Sequence, residues 1–356
     1  LNIYYYASGH GFGHISRTSV ILKELLNQKE ISEVHLISSR VQFIDWSHPK
    51  LIKRELNLDV GVFQKDSLSL DITKTKESLQ EFEKIKNSLL QTEAKYCRKN
   101  KIQLILTDAA SLPLVLAVEV GIPSIFIGNF TWDFIYQNYA KDDPYFSVIS
   151  DIYRTEYSFA TEGLFLPFTC PMPPFLEFSN VGLVGRKPNL SKNEARKSFG
   201  FQKDKKYILL SFGAYGLSGF EMKWEKLSKE IQLVAYGVPG LDLKHVISPE
   251  NCYYPDLVTA CDYVLTKPGY GILSECYLAN TPILYTDRGD FAEFPFLVQS
   301  LQKYFHSAYM SHSDISDCNF ENVISGIDNS NSISKILDIR ISGEIDIVKH
   351  ILEYNF

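Results

Sequence analysis

Strand-like runs alternate with helical runs along nearly the whole chain, and that order restricts it to parallel sheets joined by crossover helices. The first half reads as strands at about 2-7, 33-38, 58-63, 102-107 and 123-127, with helices near 14-28, 74-99 and 111-120. The second half shows strands near 206-212, 231-236, 244-247, 262-266 and 282-286, with helices near 255-261 and 271-280. Between about 164 and 190 the pattern breaks, and Pro167, Pro171, Pro173 and Pro174 stand against regular structure there. A fresh start follows, because Ser191 to Glu194 spells a capping box and Gly200 supplies a stop. Two α/β domains are therefore expected, at 1-180 and 190-335. The closing stretch 343-354 places Ile345, Ile347, Val348, Ile351 and Leu352 on one side of a helix, and this tail (about 340-356) is expected to pack back on the first domain.

A length of 356 residues suits two cores of similar size, and 45% hydrophobic with 22% charged residues is the composition of a globular protein. The net charge of -6 gives no reason to expect a polyanionic partner, so nucleic acid is not an expected ligand. Cys97, Cys170, Cys252, Cys261, Cys276 and Cys318 form no C-x-x-C pair and read as reduced, mostly buried thiols. The chain opens on the strand-like Asn2 to Tyr6, with no signal-peptide pattern and no run of ~20 apolar residues that could span a bilayer. A cytoplasmic protein is expected. The Phe- and Pro-rich stretch Leu164 to Phe178 could touch a membrane surface peripherally, although a packed hinge explains it more simply. In the 74-99 helix, Leu79, Phe82, Ile85, Leu89 and Leu90 fall at helical spacing, and its Lys and Glu residues read as a solvated face.

The first strand runs into Ser8-Gly9-His10-Gly11-Phe12-Gly13-His14, where a helix begins. Alternate glycines let a ligand approach the backbone, and the helix start offers N–H groups and a positive dipole end. The G-x-G-x-G spacing misses the dinucleotide fingerprint by one residue, and His10 and His14 lack the helical frame of a zinc pair. His14 fits a general base, since neutral imidazole accepts a proton near pH 7, but taken alone it more simply fits a helix-start histidine bonded to a carbonyl. Asp108 ends the strand Ile102 to Asp108, at the edge where parallel sheets place ligand residues. It could orient His14 and stabilise its imidazolium, or cap the next helix.

In the second half, Ser211-Phe212-Gly213-Ala214-Tyr215-Gly216 reads as a ligand loop or a plain turn. A sharper pattern is Asp262 to Cys276, in which a buried strand feeds Thr266, Lys267 and the Gly269-Tyr270-Gly271 turn before a helix carrying Ser274 and Glu275. Such a turn suits a pyrophosphate, although strand-turn-helix glycines also serve as tight connections. Glu275 could accept two ribose hydroxyls, while Thr266 and Lys267 could add a hydroxyl and a cation. Beyond it, Asp287-Arg288-Gly289-Asp290-Phe291-Ala292-Glu293 offers charges that could read sugar hydroxyls or form a solvated loop.

Taken together, these residues resemble the GT-B superfamily of nucleotide-sugar glycosyltransferases: a glycine-rich loop ending in Gly13-His14, and a Pro268-Gly269 turn with Glu275 in the helix beyond. More specifically, the chain resembles the glycosyltransferase-like N-terminal region of L-arabinokinases and its free-standing bacterial relatives. The matching stretches are Gly9 to His14, Asn129 to Tyr136, Cys170 to Pro173, Lys267 to Gly271 with Ser274-Glu275, and Phe294 to Leu297. Ala214 to Gly219 only brushes the phosphate loop of sugar kinases, so no kinase activity is expected.

The resemblance implies an α/β GT-B fold of two Rossmann-like domains facing a central cleft. It implies His14 as base with Asp108 as its partner, and Gly11, Gly13, His10 and Trp132 on the acceptor side. Gly213, Thr266, Lys267, Gly269, Tyr270, Gly271, Ser274, Glu275, Asp290 and Glu293 would bind the donor. The departure lies at Asp287 to Glu293, where many members carry Asp-Gln, Glu-Gln or Gln-x-x-Asn, so the donor sugar stays unassigned. The expected activity is inverting transfer of a hexosyl or pentosyl group from a nucleotide diphosphate sugar, UDP favoured, to a hydroxyl of a small molecule, glycan or lipid-linked acceptor. With no Asp-x-Asp motif in the chain, no metal or other cofactor is expected. A sugar-nucleotide epimerase or hydrolase, or a non-catalytic sugar-nucleotide-binding module, would use the same donor residues.

Overall fold

The computed structural model describes residues 1-65, 69-213, 221-236, 244-329 and 338-354. Ala214 to Gly216 of the expected ligand loop, and the kinase-like Ala214 to Gly219, lie outside them. The chain divides into two compact units: Leu1–Phe63, Asp71–Val184 and Ile339–Phe356 form one, Gln64–Leu70 and Gly185–Asp338 the other.

The first unit opens with β1 (Asn2–Ala7), α1 (Phe12–Leu26), β2 (Glu33–Ile37) and β3 (Leu51–Arg54). It continues through α2 (Ile72–Lys99), β4 (Leu104–Asp108), α3 (Leu112–Val120), β5 (Ser124–Gly128), α4 (Trp132–Gln137), α5 (Tyr145–Tyr157), β6 (Glu162–Phe165) and β7 (Phe178–Asn180). The strands pair in parallel in the order β3-β2-β1-β4-β5-β6-β7. Because β1, β4 and β5 are covered on both faces, they read as continuous apolar runs instead of alternating ones. The connections leave β1 toward β2 on one side and return to β4 on the other, so the strand order reverses between β1 and β4.

Three sequence expectations change here. The run 58-63 is no strand; the third strand is the shorter β3, and the N–H of buried Leu58 donates to the Tyr6 hydroxyl (3.0 Å) instead of to a ladder carbonyl. The proline-rich stretch is not wholly irregular, because the prolines fall between β6 and β7 and three residues free of them suffice for β7. On α2, Ile85 is 52% exposed while Lys86 and Glu93 are buried. Glu93 is held there by paired bonds from Arg54 (2.7 and 2.9 Å) and the Tyr4 hydroxyl (2.7 Å), and Lys86 pairs with Glu83 (3.0 Å) and Glu156. Burying these charges is possible only because each is neutralised and hydrogen-bonded.

The second unit starts at α6 (Lys192–Ser198), whose Ser191 and Glu194 close the capping box and whose chain leaves through Gly200 at a φ of 67°. Then come β8 (Lys206–Ser211), β9 (Ile231–Ala235), β10 (Val246–Ile247), α7 (Tyr254–Ala260), β11 (Tyr263–Thr266) and α8 (Tyr270–Ala279). After β12 (Ile283–Tyr285), α9 (Phe294–Tyr304), β13 (Ser307–Tyr309), α10 (His312–Ser316) and α11 (Phe320–Asn329) complete the unit. Its parallel sheet runs β10-β9-β8-β11-β12-β13, with the reversal between β8 and β11.

The chain then returns to the first unit as α12 (Gly343–Glu353), which buries Ile347, Val348 and Ile351 in the core that also holds Ile15, Leu22 and Leu25 of α1. Ile345, expected on that face, is 52% exposed. The entry to α12 is tight: a side chain at Gly343 would lie 1.9 Å from the Gly182 carbonyl oxygen. All six cysteines are free thiols, five of them buried. No helix among the described residues is long and apolar enough to cross a membrane.

Candidate active site

At the reversal point of the first sheet, β1 ends at Ala7, opposite Asp108 of β4. The helix expected from about residue 14 starts two residues earlier, at Phe12, so Gly13 and His14 sit in its first turn. Gly11 holds a φ of 80°, a left-handed value that favours glycine, and a side chain at Gly9 would strike the Ser39 hydroxyl at 1.9 Å.

Asp108 is fully buried, and its Oδ1 lies 2.7 Å from His14 Nδ1. A carboxylate only accepts, so this contact places the ring proton on Nδ1 and leaves the Nε2 lone pair as the basic one. Arg17, one turn on from His14, is also buried and clamps the same carboxylate through Nε to Oδ2 (2.6 Å) and Nη2 to Oδ1 (2.5 Å). Its Nη2 is 3.2 Å from His14 Nδ1, but the shorter, charge-assisted contact to Asp108 selects the Nδ1–H form. Arg17 Nη1 donates to the Asn129 side-chain oxygen just beyond β5, so three neighbouring elements meet on one guanidinium.

Burial pushes the Asp108 carboxyl up, yet Arg17 and His14 more than offset this and hold it down to about 2. A depressed carboxylate contributes stability that is present above its unfolded pKa of about 3.9 and is lost as pH falls toward about 2, an effect of about 2 kcal/mol. Denaturation measured at pH 5 and pH 3 should therefore lose more stability in the wild type than in Asp108→Asn. Equal losses would show that Asp108 carries no such linkage.

His10 packs edge-on against Trp132 (5.2 Å between rings), and a side chain at Gly61 would strike its imidazole at 2.0 Å. Trp132, expected on the acceptor side, is 1% exposed, and its indole N–H is spent on Asp59 (3.1 Å). Asp59 also accepts from the Tyr6 hydroxyl (2.6 Å), and burial raises its carboxyl above the usual range.

In the second unit the ends of β8 and β11 meet at the reversal point, where Thr266 donates to the Ser211 carbonyl (2.6 Å). That proton is committed to the backbone, so Thr266 ties the two strand ends together. Lys267 donates to the Gln64 side chain (2.9 Å). Gly269 is the N-cap of α8 and gives no side-chain cap; Tyr270 and Gly271 are its first two residues. A helix start of this kind presents N–H groups and a positive dipole end to an anion. Ser274, also expected to bind donor, donates back to the Tyr270 carbonyl (2.9 Å) within the helix. Gly213 has a φ of 68° and is exposed at the end of β8.

Glu275 is buried, and Arg186 holds it through Nε (2.6 Å) and Nη2 (2.5 Å), both on Oε1. Burial raises the Glu275 carboxyl, an effect that Arg186 opposes. Asp290 is exposed, whereas Glu293 is buried against Arg288 (3.0 Å), which also donates to the Pro268 carbonyl (3.0 Å). Arg288 thus ties this loop to the glycine turn. Sequence patterns alone do not single out Arg17, Asp59 or Arg186 as site residues; Asn129 opens the Asn129 to Tyr136 stretch without being marked as a site residue, and for Arg17 the i,i+3 spacing from His14 is the signal available. No group of three His, Cys, Asp or Glu residues suited to a metal occurs among the described residues.

The fold is that of solved glycosyltransferases. CalG4, the calicheamicin glycosyltransferase, superposes with a TM-score of 0.63 at 12% identity, covering 99% of this chain and 94% of that one. The chain has the GT-B fold. UGT2 of Phytolacca americana, solved with UDP-2fluoro-glucose and pterostilbene, gives 0.61 at 11% identity over 91% of this chain and 89% of that one. In sequence the chain is 31% identical over 320 residues, 87% of its length, to L-arabinokinase of Arabidopsis thaliana, and spans 30% of that protein. No family model matches it.

Proposed function

We propose that this protein is a glycosyltransferase that moves a sugar from a nucleoside diphosphate donor, UDP favoured, to a hydroxyl acceptor with inversion. The observation that carries the reading is the 2.7 Å contact of His14 Nδ1 with Asp108, which leaves Nε2 as a base at the edge of the sheet. Similarity to a UDP-sugar-bound glycosyltransferase supports the donor class. In the proposed step His14 Nε2 takes the acceptor proton as the acceptor oxygen bonds to the anomeric carbon. The bond from that carbon to the diphosphate oxygen breaks on the opposite face, and Asp108 stabilises the imidazolium that forms. The start of α8, with Lys267, offsets the charge on the departing diphosphate, and Glu275 accepts from the ribose. Exposed Asp290 meets the donor sugar.

The proposed chemistry uses protein groups alone. Release of nucleoside diphosphate from a nucleotide sugar should therefore depend on an added hydroxyl acceptor and continue at full rate in a chelator. Loss of activity in the chelator would remove the metal-independent step, and release without any acceptor would point to a hydrolase.

A further inference from the structure

The edge of the first sheet that carries Asp108 holds a second charged group, on the other side of β1. Strands β2 and β4 flank β1, and with neighbouring strands about 4.8 Å apart the ends of β2 and β4 stand about 10 Å from each other. Arg40 lies just beyond the end of β2. Its Nε donates to the Gly9 carbonyl of the glycine-rich loop (2.6 Å), and its guanidinium sits 4.9 Å from the centre of the Phe12 ring and 5.8 Å from that of Phe43. Those two rings meet edge-on at 4.9 Å. Backbone on one side and aromatic rings on another hold the guanidinium in place.

Its Nη1 and Nη2 have no hydrogen-bond or ion-pair partner among the described residues. Fixing a long side chain costs rotamer entropy, and no described carboxylate offsets that cost here. With Nε turned to Gly9, the end of the guanidinium is left as an open fork, and two parallel N–H groups of this kind match two oxygens of one carboxylate or phosphate. Phe12 and Phe43 are 44% and 48% exposed, so two apolar rings flank the fork and suit the apolar body of the same molecule.

Resting on the transfer reading above, we propose that the hydroxyl acceptor is an anion, an apolar or aromatic body bearing a carboxylate or phosphate, and that Arg40 is the specificity residue that selects it. The anionic group meets Nη1 and Nη2, the body lies along Phe12 and Phe43, and the hydroxyl reaches His14 about two strand spacings away.

Titration calorimetry of the full chain at low ionic strength tests this with two matched pairs: para-hydroxybenzoate against para-hydroxybenzamide, and para-hydroxyphenyl phosphate against hydroquinone. Wild type should bind the charged member of at least one pair about tenfold or more tightly than its uncharged counterpart, and which pair shows it tells carboxylate from phosphate. Arg40→Gln should bring that ratio close to one. A wild-type ratio near one in both pairs, or a ratio that Arg40→Gln keeps, overturns the proposal and leaves the transferase reading standing, because an uncharged acceptor satisfies that reading. Should Arg40→Gln fail to fold, Arg40→Lys decides: it keeps the charge and loses the fork, so its ratio should fall below that of wild type, and an unchanged ratio overturns the proposal. Binding of none of the four probes also overturns it. Release of nucleoside diphosphate that no acceptor stimulates removes the transferase reading and this proposal together.

Discussion

Replacing Arg17 with methionine should destabilise the protein by about 3-5 kcal/mol, because it leaves the fully buried Asp108 carboxylate without the cation that neutralises it. The same guanidinium also satisfies Asn129, so a second buried polar group loses its partner. Chemical denaturation in near-neutral buffer measures the effect. A loss below about 1 kcal/mol would place Arg17 among ordinary surface ion pairs and contradict the clamp.

His14→Ala should behave differently. It leaves both Arg17 bonds to Asp108 in place, so the fold should persist, while turnover should fall about 10²–10⁴-fold, the range expected for loss of a general base. Nucleotide affinity should hold, since the proposed donor residues lie in the other unit. Turnover within about tenfold of wild type would contradict the role assigned to His14. The two variants separate stability from chemistry within one cluster.

Much of the fold is legible in the sequence where burial on both faces leaves an apolar run. Asn2 to Ala7, Leu104 to Asp108 and Tyr263 to Thr266 announce strands for that reason, and the glycines that follow the first and third mark the helix starts. Short elements are harder to read. Three-residue β7 carries no period, six-residue α4 lies within the Asn129 to Tyr136 stretch, and in α5 the interspersed aromatic residues hide the helical spacing of Phe146, Ile149, Ser150 and Tyr153.

The site is legible in part for a different reason. His14 and Asp108 stand at the ends of recognisable elements, so their position gives them away. Arg17 reads as one more basic residue on a helix, and only the arrival of β4, 91 positions later, makes it a buried clamp. Arg186 is similar: its partner Glu275 is 89 positions away, and no local pattern links them. The charges of α2 show the opposite error, since they read as a solvated face, yet Arg54 and Glu156 provide the partners that bury Glu93 and Lys86.

The central claim is that the second unit binds a nucleoside diphosphate sugar on α8, and a thermal-shift panel of UDP-, GDP-, dTDP- and CMP-linked sugars tests it most directly, because a ligand that binds the folded state raises its melting point. At least one nucleoside diphosphate sugar should raise the melting temperature of the wild type, and Glu275→Ala should lose most of that shift. No shift from any member of the panel, or an undiminished shift in Glu275→Ala, would contradict the account.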